Sequence, residues 1–157
     1  MTLLTRRKTL QIGGVAFASG IAGCSTFGQQ SSPPLRLGGI DVHNFDPRPH
    51  SVHVAFFDDG KSVYRASKDV PADHESSPGF ASFENYPTRP DEDALRVWID
   101  DQPKSDRKRF DFGERNASCL GLLITIGNEI GTDPGSVTIW HSTSENECEG
   151  MTETTEG

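Results

Sequence analysis

No segment of this sequence sustains a 3.6-residue apolar period for the roughly ten to twelve residues a helix needs, which leaves strands as the main regular element. No apolar run reaches the roughly 20 residues that cross a bilayer; the longest, Ile12 to Ala22, has eleven and is diluted by Gly13, Gly14, Ser19 and Gly20. No CxxC pair is present, which argues against a zinc knuckle or a thioredoxin-like site. No GxSxG elbow is present either, and Gly38 and Gly39 precede a strand instead of opening a helix, so neither a hydrolase nucleophile nor a phosphate loop is indicated. No internal repeat occurs. Basic charge is scarce: 15 Lys and Arg stand against 23 Asp and Glu, which disfavours nucleic acid as a partner.

What is present begins at the N-terminus. Thr5, Arg6, Arg7 and Lys8 form a positive region ahead of the short apolar stretch, followed by Ile21, Ala22, Gly23 and Cys24. This reads as an export signal over residues 1–23. Thr5 to Leu10 resembles the twin-arginine export motif, with Thr9 where that motif usually carries an aromatic or apolar residue. Ile21 to Cys24 resembles a lipobox, which implies cleavage before Cys24, a lipid on its thiol, and residence on the extracellular face of the cytoplasmic membrane. An ordinary signal ending in a chance cysteine is the alternative. Residues 24–34 then form a polar linker closed by Pro33 and Pro34, whose restricted backbone favours an extended spacer. Residues 35–144 are expected to be one domain with a modest core, and residues 145–157 an acidic, threonine-rich tail, flexible past Cys148.

Within the domain, alternation predicts strands. Val52, Val54 and Phe56 share one face of His50 to Phe57, and Asp58, Asp59 and Gly60 supply turn chemistry into Ser62 to Ser67. Leu95, Val97 and Ile99 alternate with Arg96 and Trp98; Phe110 and Phe112 mark a short strand. Leu120, Leu122, Ile124 and Ile126 mark the most buried one, and Val137 and Ile139 point inward from the last. Adding Leu35 to His43 and a weaker strand around Phe80 to Tyr86 gives about eight strands, the pattern of an all-β, antiparallel, immunoglobulin-like β-sandwich.

After cleavage twelve basic side chains remain against 23 acidic ones, a formal charge of −11, and eight of the twelve are arginine. Signal, acidic surface, and the segments Val42, His43, Asn44 and His50 to Val54 with the Asp59, Gly60 turn resemble small lipoproteins of haloarchaea with immunoglobulin-like domains. That resemblance implies export and fold class and carries over no catalytic residue.

Cys119 and Cys148 form an even pair once Cys24 is lipidated, and an oxidising compartment favours a bridge of about 30 residues contributing on the order of 3 to 4 kcal/mol. Two free thiols are the alternative. Asn116, Ala117 and Ser118 form an N-glycosylation sequon. His43, His50 and His53 cluster in sequence, but His50 and His53 differ by an odd number on one strand and point to opposite faces, so no metal site is assigned and they are read as surface or edge-strand histidines. Asp91, Glu92 and Asp93, or Asp100 and Asp101, lack the spacing of a calcium loop. Lys104, Arg107, Lys108 and Arg109, interrupted by Asp106, read as a solvated inter-strand loop. Trp98 and Trp140 face away from their strands' aliphatic residues, which fits either an exposed aromatic surface or a covered one.

No catalytic residue and no cofactor is assigned. The sequence favours a lipid-anchored interaction or structural module, with membrane lipid through Cys24 and an envelope or membrane protein as partners. The alternative is a lipoprotein that captures a small solute or metal ion, although one small domain lacks the interdomain cleft such receptors use.

Overall fold

The computed structural model describes residues 34–75, 77–90, 94–128 and 132–149. The expectations attached to Arg6, Arg7 and Cys24 fall outside these residues, as do those for Asp91, Glu92 and Asp93.

Eight strands occur among the described residues: β1 (Arg36–Asn44), β2 (His50–Asp58), β3 (Lys61–Val70), β4 (Gly79–Ser82), β5 (Ala94–Ile99), β6 (Lys108–Asp111), β7 (Cys119–Ile126) and β8 (Val137–Ser142). They make two four-stranded sheets, one ordered β4-β1-β7-β8 and the other β3-β2-β5-β6. Among the described residues no helix is long and apolar enough to cross a membrane.

The β2–β3 hairpin follows directly from its turn chemistry. Asp58 pairs with Lys61 across a two-residue loop in which Asp59 and Gly60 both have positive φ, 48° and 75°. A loop with two such residues matches the right-handed twist of the strands it joins, and Asp-Gly is among the sequences that tolerate it.

The expected all-antiparallel pairing is corrected at one place. β1 and β7 run parallel, from Arg36 beside Cys119 to Asn44 beside Ile126. Parallel neighbours need a crossover instead of a hairpin. Here the crossover is long: β2, β3, β5 and β6 of the other sheet all lie between β1 and β7 in sequence. Every other strand pair is antiparallel.

Inward side chains of both sheets meet in one core. Leu37, Ile40 and Val42 of β1 and Leu120, Leu122, Ile124 and Ile126 of β7 are buried together with Val52, Val54 and Phe56 of β2 and Leu95, Val97 and Ile99 of β5. The aliphatic alternation read from the sequence therefore selects the correct faces. Phe110 and Phe112 close the core beside Phe56, whose ring stacks on Phe112 at 5.7 Å. The weak strand expected around Phe80 to Tyr86 is shorter, ending at Ser82, because Phe83 turns into the core and Tyr86 stacks on Phe56.

Glu145–Cys148, assigned from sequence to the tail, is instead a turn of 3-10 helix. Ser144 caps it through its hydroxyl, which accepts a hydrogen bond from the Asn146 amide. Cys148 is bridged to Cys119 at the start of β7, which holds this turn against the sheet.

Candidate functional site

The outer face of the β4-β1-β7-β8 sheet gathers side chains that the core does not use. Strand registers align them in transverse rows. One row runs Phe80, His43, Thr125, Thr138 and the next runs Ser82, Asp41, Leu123, Trp140. A third consists of Gly39, Gly121 and Ser142, with no bulky side chain between β1 and β7. At this third row the sheet is therefore low between β1 and β7. The depression is a shallow groove of about 350 Å³ with Leu123 on its floor.

Trp140 is 58% exposed, and its orientation is fixed: the indole Nε1 donates a 3.1 Å hydrogen bond to Thr125 Oγ1 on the neighbouring strand. At the opposite edge Phe80 is 56% exposed and packs edge-on against the His43 ring at 5.7 Å. Ser82 Oγ donates to Asp41 Oδ1 at 2.5 Å, which holds that carboxylate in the row between them.

Glu147 closes one end of the groove, and the disulfide explains why it is there. With Cys148 tied to Cys119, the backbone of Glu147 is pressed over Gly38, where a Cβ would collide with the Glu147 carbonyl. Its carboxylate lies over Gly121, where a Cβ would meet Glu147 Oε2 at 2.7 Å. Two glycines thus let a bridged turn approach the sheet and set an exposed carboxylate on the groove that the exposed indole also lines. The arrangement can take a ring or apolar surface on Leu123 and Trp140 and accept hydrogen bonds at Asp41 and Glu147.

The sequence-derived candidates are distributed as follows. Cys119 and Cys148 are bridged. Asn116 is exposed in the connection between β6 and β7. The three histidines occupy three separate environments. His43 sits on the groove face, and His53 sits on the outer face of the other sheet, stacked on Trp98 at 5.2 Å. His50, read from sequence as a surface or edge-strand residue, is instead buried, because β2 is interior to its sheet and the loop after β1 folds over its end. Its Nε2 lies 3.0 Å from Asp46 Oδ2 and its Nδ1 2.7 Å from Asp100 Oδ2. The two carboxylates stand on opposite sides of the ring and do not converge on one point. Among the described residues no group of three or more His, Cys, Asp or Glu side chains is placed to hold a metal ion.

The two tryptophans differ. Trp98 also faces outward from its sheet yet is only 6% exposed, since the Arg107 guanidinium lies 4.1 Å from its ring centroid and Arg65 5.6 Å. The basic cluster expected to be a solvated loop is thereby corrected: Arg107 covers Trp98, while Lys108 and Arg109 belong to β6.

The groove itself was missed at the sequence level. Its signal was weak: Trp140 was read together with Trp98, which lies on the other sheet, Phe80 only as the start of a weak strand, and nothing in the chain order sets β4, β1, β7 and β8 side by side. Comparison with protein-family models, curated proteins and solved structures finds no match.

Proposed function

We propose that the two sheets form an immunoglobulin-like sandwich that serves as a lipid-anchored interaction module. In this reading the chain is exported by the signal containing Arg6 and Arg7 and tethered through Cys24. The outer face of the β4-β1-β7-β8 sheet carries the partner site. The observation that supports it is the pairing of an oriented, exposed Trp140 with a Glu147 carboxylate that a disulfide and two glycines bring to the same groove. Contiguous exposed apolar surface marks interaction sites, and Trp is enriched where binding energy concentrates. The partner is one that lays an apolar or ring surface on Trp140 and donates hydrogen bonds to Asp41 and Glu147.

The resemblance to haloarchaeal lipoproteins, the Asn116 sequon and the disulfide are mutually consistent, since lipidation, glycosylation and bridging all follow from export. The reading is tested by mass analysis of the mature N-terminal peptide together with capture from native membranes. A thioether-linked lipid mass on Cys24, and one discrete partner retained by wild type and lost in Trp140→Ala, are the expected results. An unmodified Cys24, or capture indifferent to Trp140, contradicts it.

A further inference from the structure

We infer that the partner held at the Trp140 groove is a protein that places an arginine side chain in it. The inference rests on the reading of this groove as the partner site and names the chemistry that fills it.

The other sheet of the same chain carries an outward tryptophan that is already covered. Trp98 and Trp140 both face out, yet Trp98 is 6% exposed and Trp140 58%. The side chains laid on the ring make the difference. His53 stacks on Trp98 at 5.2 Å, and the Arg107 and Arg65 guanidinium groups lie 4.1 Å and 5.6 Å from its centroid. Arg96 on Phe57 at 4.7 Å and Arg115 on Phe110 at 4.8 Å repeat the pattern. Among the described residues no cation lies over Trp140, whose indole is held by the Thr125 hydroxyl alone.

The groove supplies the counter-charge for one. Asp41 and Glu147 both line it, and Asp41 accepts from the uncharged Ser82 hydroxyl. Its other ionisable lining groups are His43 and His141; among the described residues no lysine or arginine lines it. Glu145 and Glu149 flank Glu147 in the bridged turn, and Arg36, at the start of β1, donates to the Cys148 carbonyl. Lys108, Arg109 and Arg115 line a second cleft that shares only Trp140 and His141 with the groove. There Arg109 is paired with Asp111 and Arg115 lies on Phe110.

Two carboxylates and an uncovered indole favour a cation over an anion, and over a neutral ring that would leave the carboxylate charge uncompensated. Guanidinium meets both demands better than ammonium: its plane lies on the indole while its in-plane N–H donors remain for the carboxylates. Asp41 and Trp140 stand in one row with Leu123 between them, about 10 Å apart across two strand spacings, and the methylene stem of an arginine can cover that leucine. A groove this shallow does not enclose a small molecule, so its cation is one delivered by a larger surface.

The test titrates the mature chain carrying Cys24→Ser with acetyl-Gly-Arg-Gly-amide and with its lysine and citrulline counterparts, following the indole N–H and Leu123 methyl signals by NMR. Saturable, millimolar binding is expected that moves Trp140 and Leu123 and leaves Trp98, already under Arg107, in place. The lysine peptide should bind about threefold more weakly, and the citrulline peptide, which keeps the plane and loses the charge, about tenfold. The double variant Asp41→Asn, Glu147→Gln should weaken arginine binding about tenfold, and Trp140→Ala should abolish the Leu123 shift. The inference is overturned by lysine or citrulline binding as tightly as arginine, or by undiminished binding to a double variant whose core signals are unchanged. Saturable binding of a neutral disaccharide such as maltose in place of the arginine peptide also overturns it. Failure of the peptide while partner capture still depends on Trp140 overturns the inference alone; capture indifferent to Trp140 overturns the reading on which it rests, whatever the peptide does.

Discussion

His50 Nδ1 lies 2.7 Å from Asp100 Oδ2, joining the first residue of β2 to the residue that follows β5. The other ring nitrogen faces Asp46, whose carboxylate also accepts a 2.7 Å hydrogen bond from the Gly135 amide in the β7–β8 loop. One imidazole thus ties the β1–β2 connection to the β3-β2-β5-β6 sheet, while Asp46 reaches to the other sheet. Asn44 completes the knot: its Nδ2 donates to the Arg48 and Pro71 carbonyls, and its Oδ1 accepts from the Asp46 amide.

Removing the ring leaves a buried carboxylate with one donor. His50→Ala should therefore cost roughly 3 kcal/mol, most of it from stranding Asp46. Urea unfolding checks this, and a midpoint shift no larger than that of an exposed substitution such as Val63→Ala would refute the clamp.

The acid limb of stability should carry an Asp100 signature. Burial opposes ionisation of this carboxyl, but hydrogen bonds from His50 and the Ser51 amide, with the nearby charges of His50 and His53, outweigh it and lower the pKa below the ordinary 3.8. A depressed folded-state pKa gives stability that is complete above about 3.8 and lost as pH falls through the folded value. Since the side chain is 52% exposed, solvent screens the effect and it should be small. Thermal melts between about pH 6 and pH 2 should fall more steeply for wild type than for Asp100→Asn; parallel curves would remove Asp100 from the account.

Reduction of Cys119–Cys148, which closes a sequence separation of 29 residues, should lower stability by on the order of 3 to 4 kcal/mol. It should also release Glu147 from Gly121 and weaken partner capture. A double Cys119→Ser, Cys148→Ser variant that is destabilised yet binds normally would separate the bridge from the groove.

Two neighbouring glycines should behave oppositely. Gly38→Ala drives a methyl group into the Glu147 carbonyl and should cost about 1 to 3 kcal/mol. At Gly39 a Cβ meets nothing within 4 Å, so Gly39→Ala should change stability by no more than about 0.5 kcal/mol. Similar losses at both positions, measured by denaturant titration, would mean that backbone propensity and not the bridged turn sets the demand for glycine.

The fold was legible wherever one local rule governed. The alternation at Val52, Val54 and Phe56 and at Leu120 to Ile126 selected the buried faces, and Asp59-Gly60 fixed the hairpin. The parallel β1–β7 pair was not legible, because it depends on which sheet each returning strand joins, and alternation is the same for either direction. His50 was misread for a similar reason: parity along β2 gave its separation from His53, but the partners that bury it, Asp46 and Asp100, come from the β1–β2 loop and from the turn after β5. The groove is the most non-local feature of all. It needs the β4-β1-β7-β8 order, a bridge between residues 119 and 148, and the absence of a Cβ at Gly121.

The central claim is that a membrane-tethered domain holds a partner at the Trp140 groove, and crosslinking in native membranes from a photoreactive side chain placed at Thr138, one row from Trp140, tests it most directly. One discrete adduct is predicted, diminished by Glu147→Gln, abolished by Trp140→Ala, and lost from the membrane fraction in Cys24→Ser. An adduct that persists in Trp140→Ala, or a Cys24→Ser chain that remains with the membrane and crosslinks as before, would contradict the account.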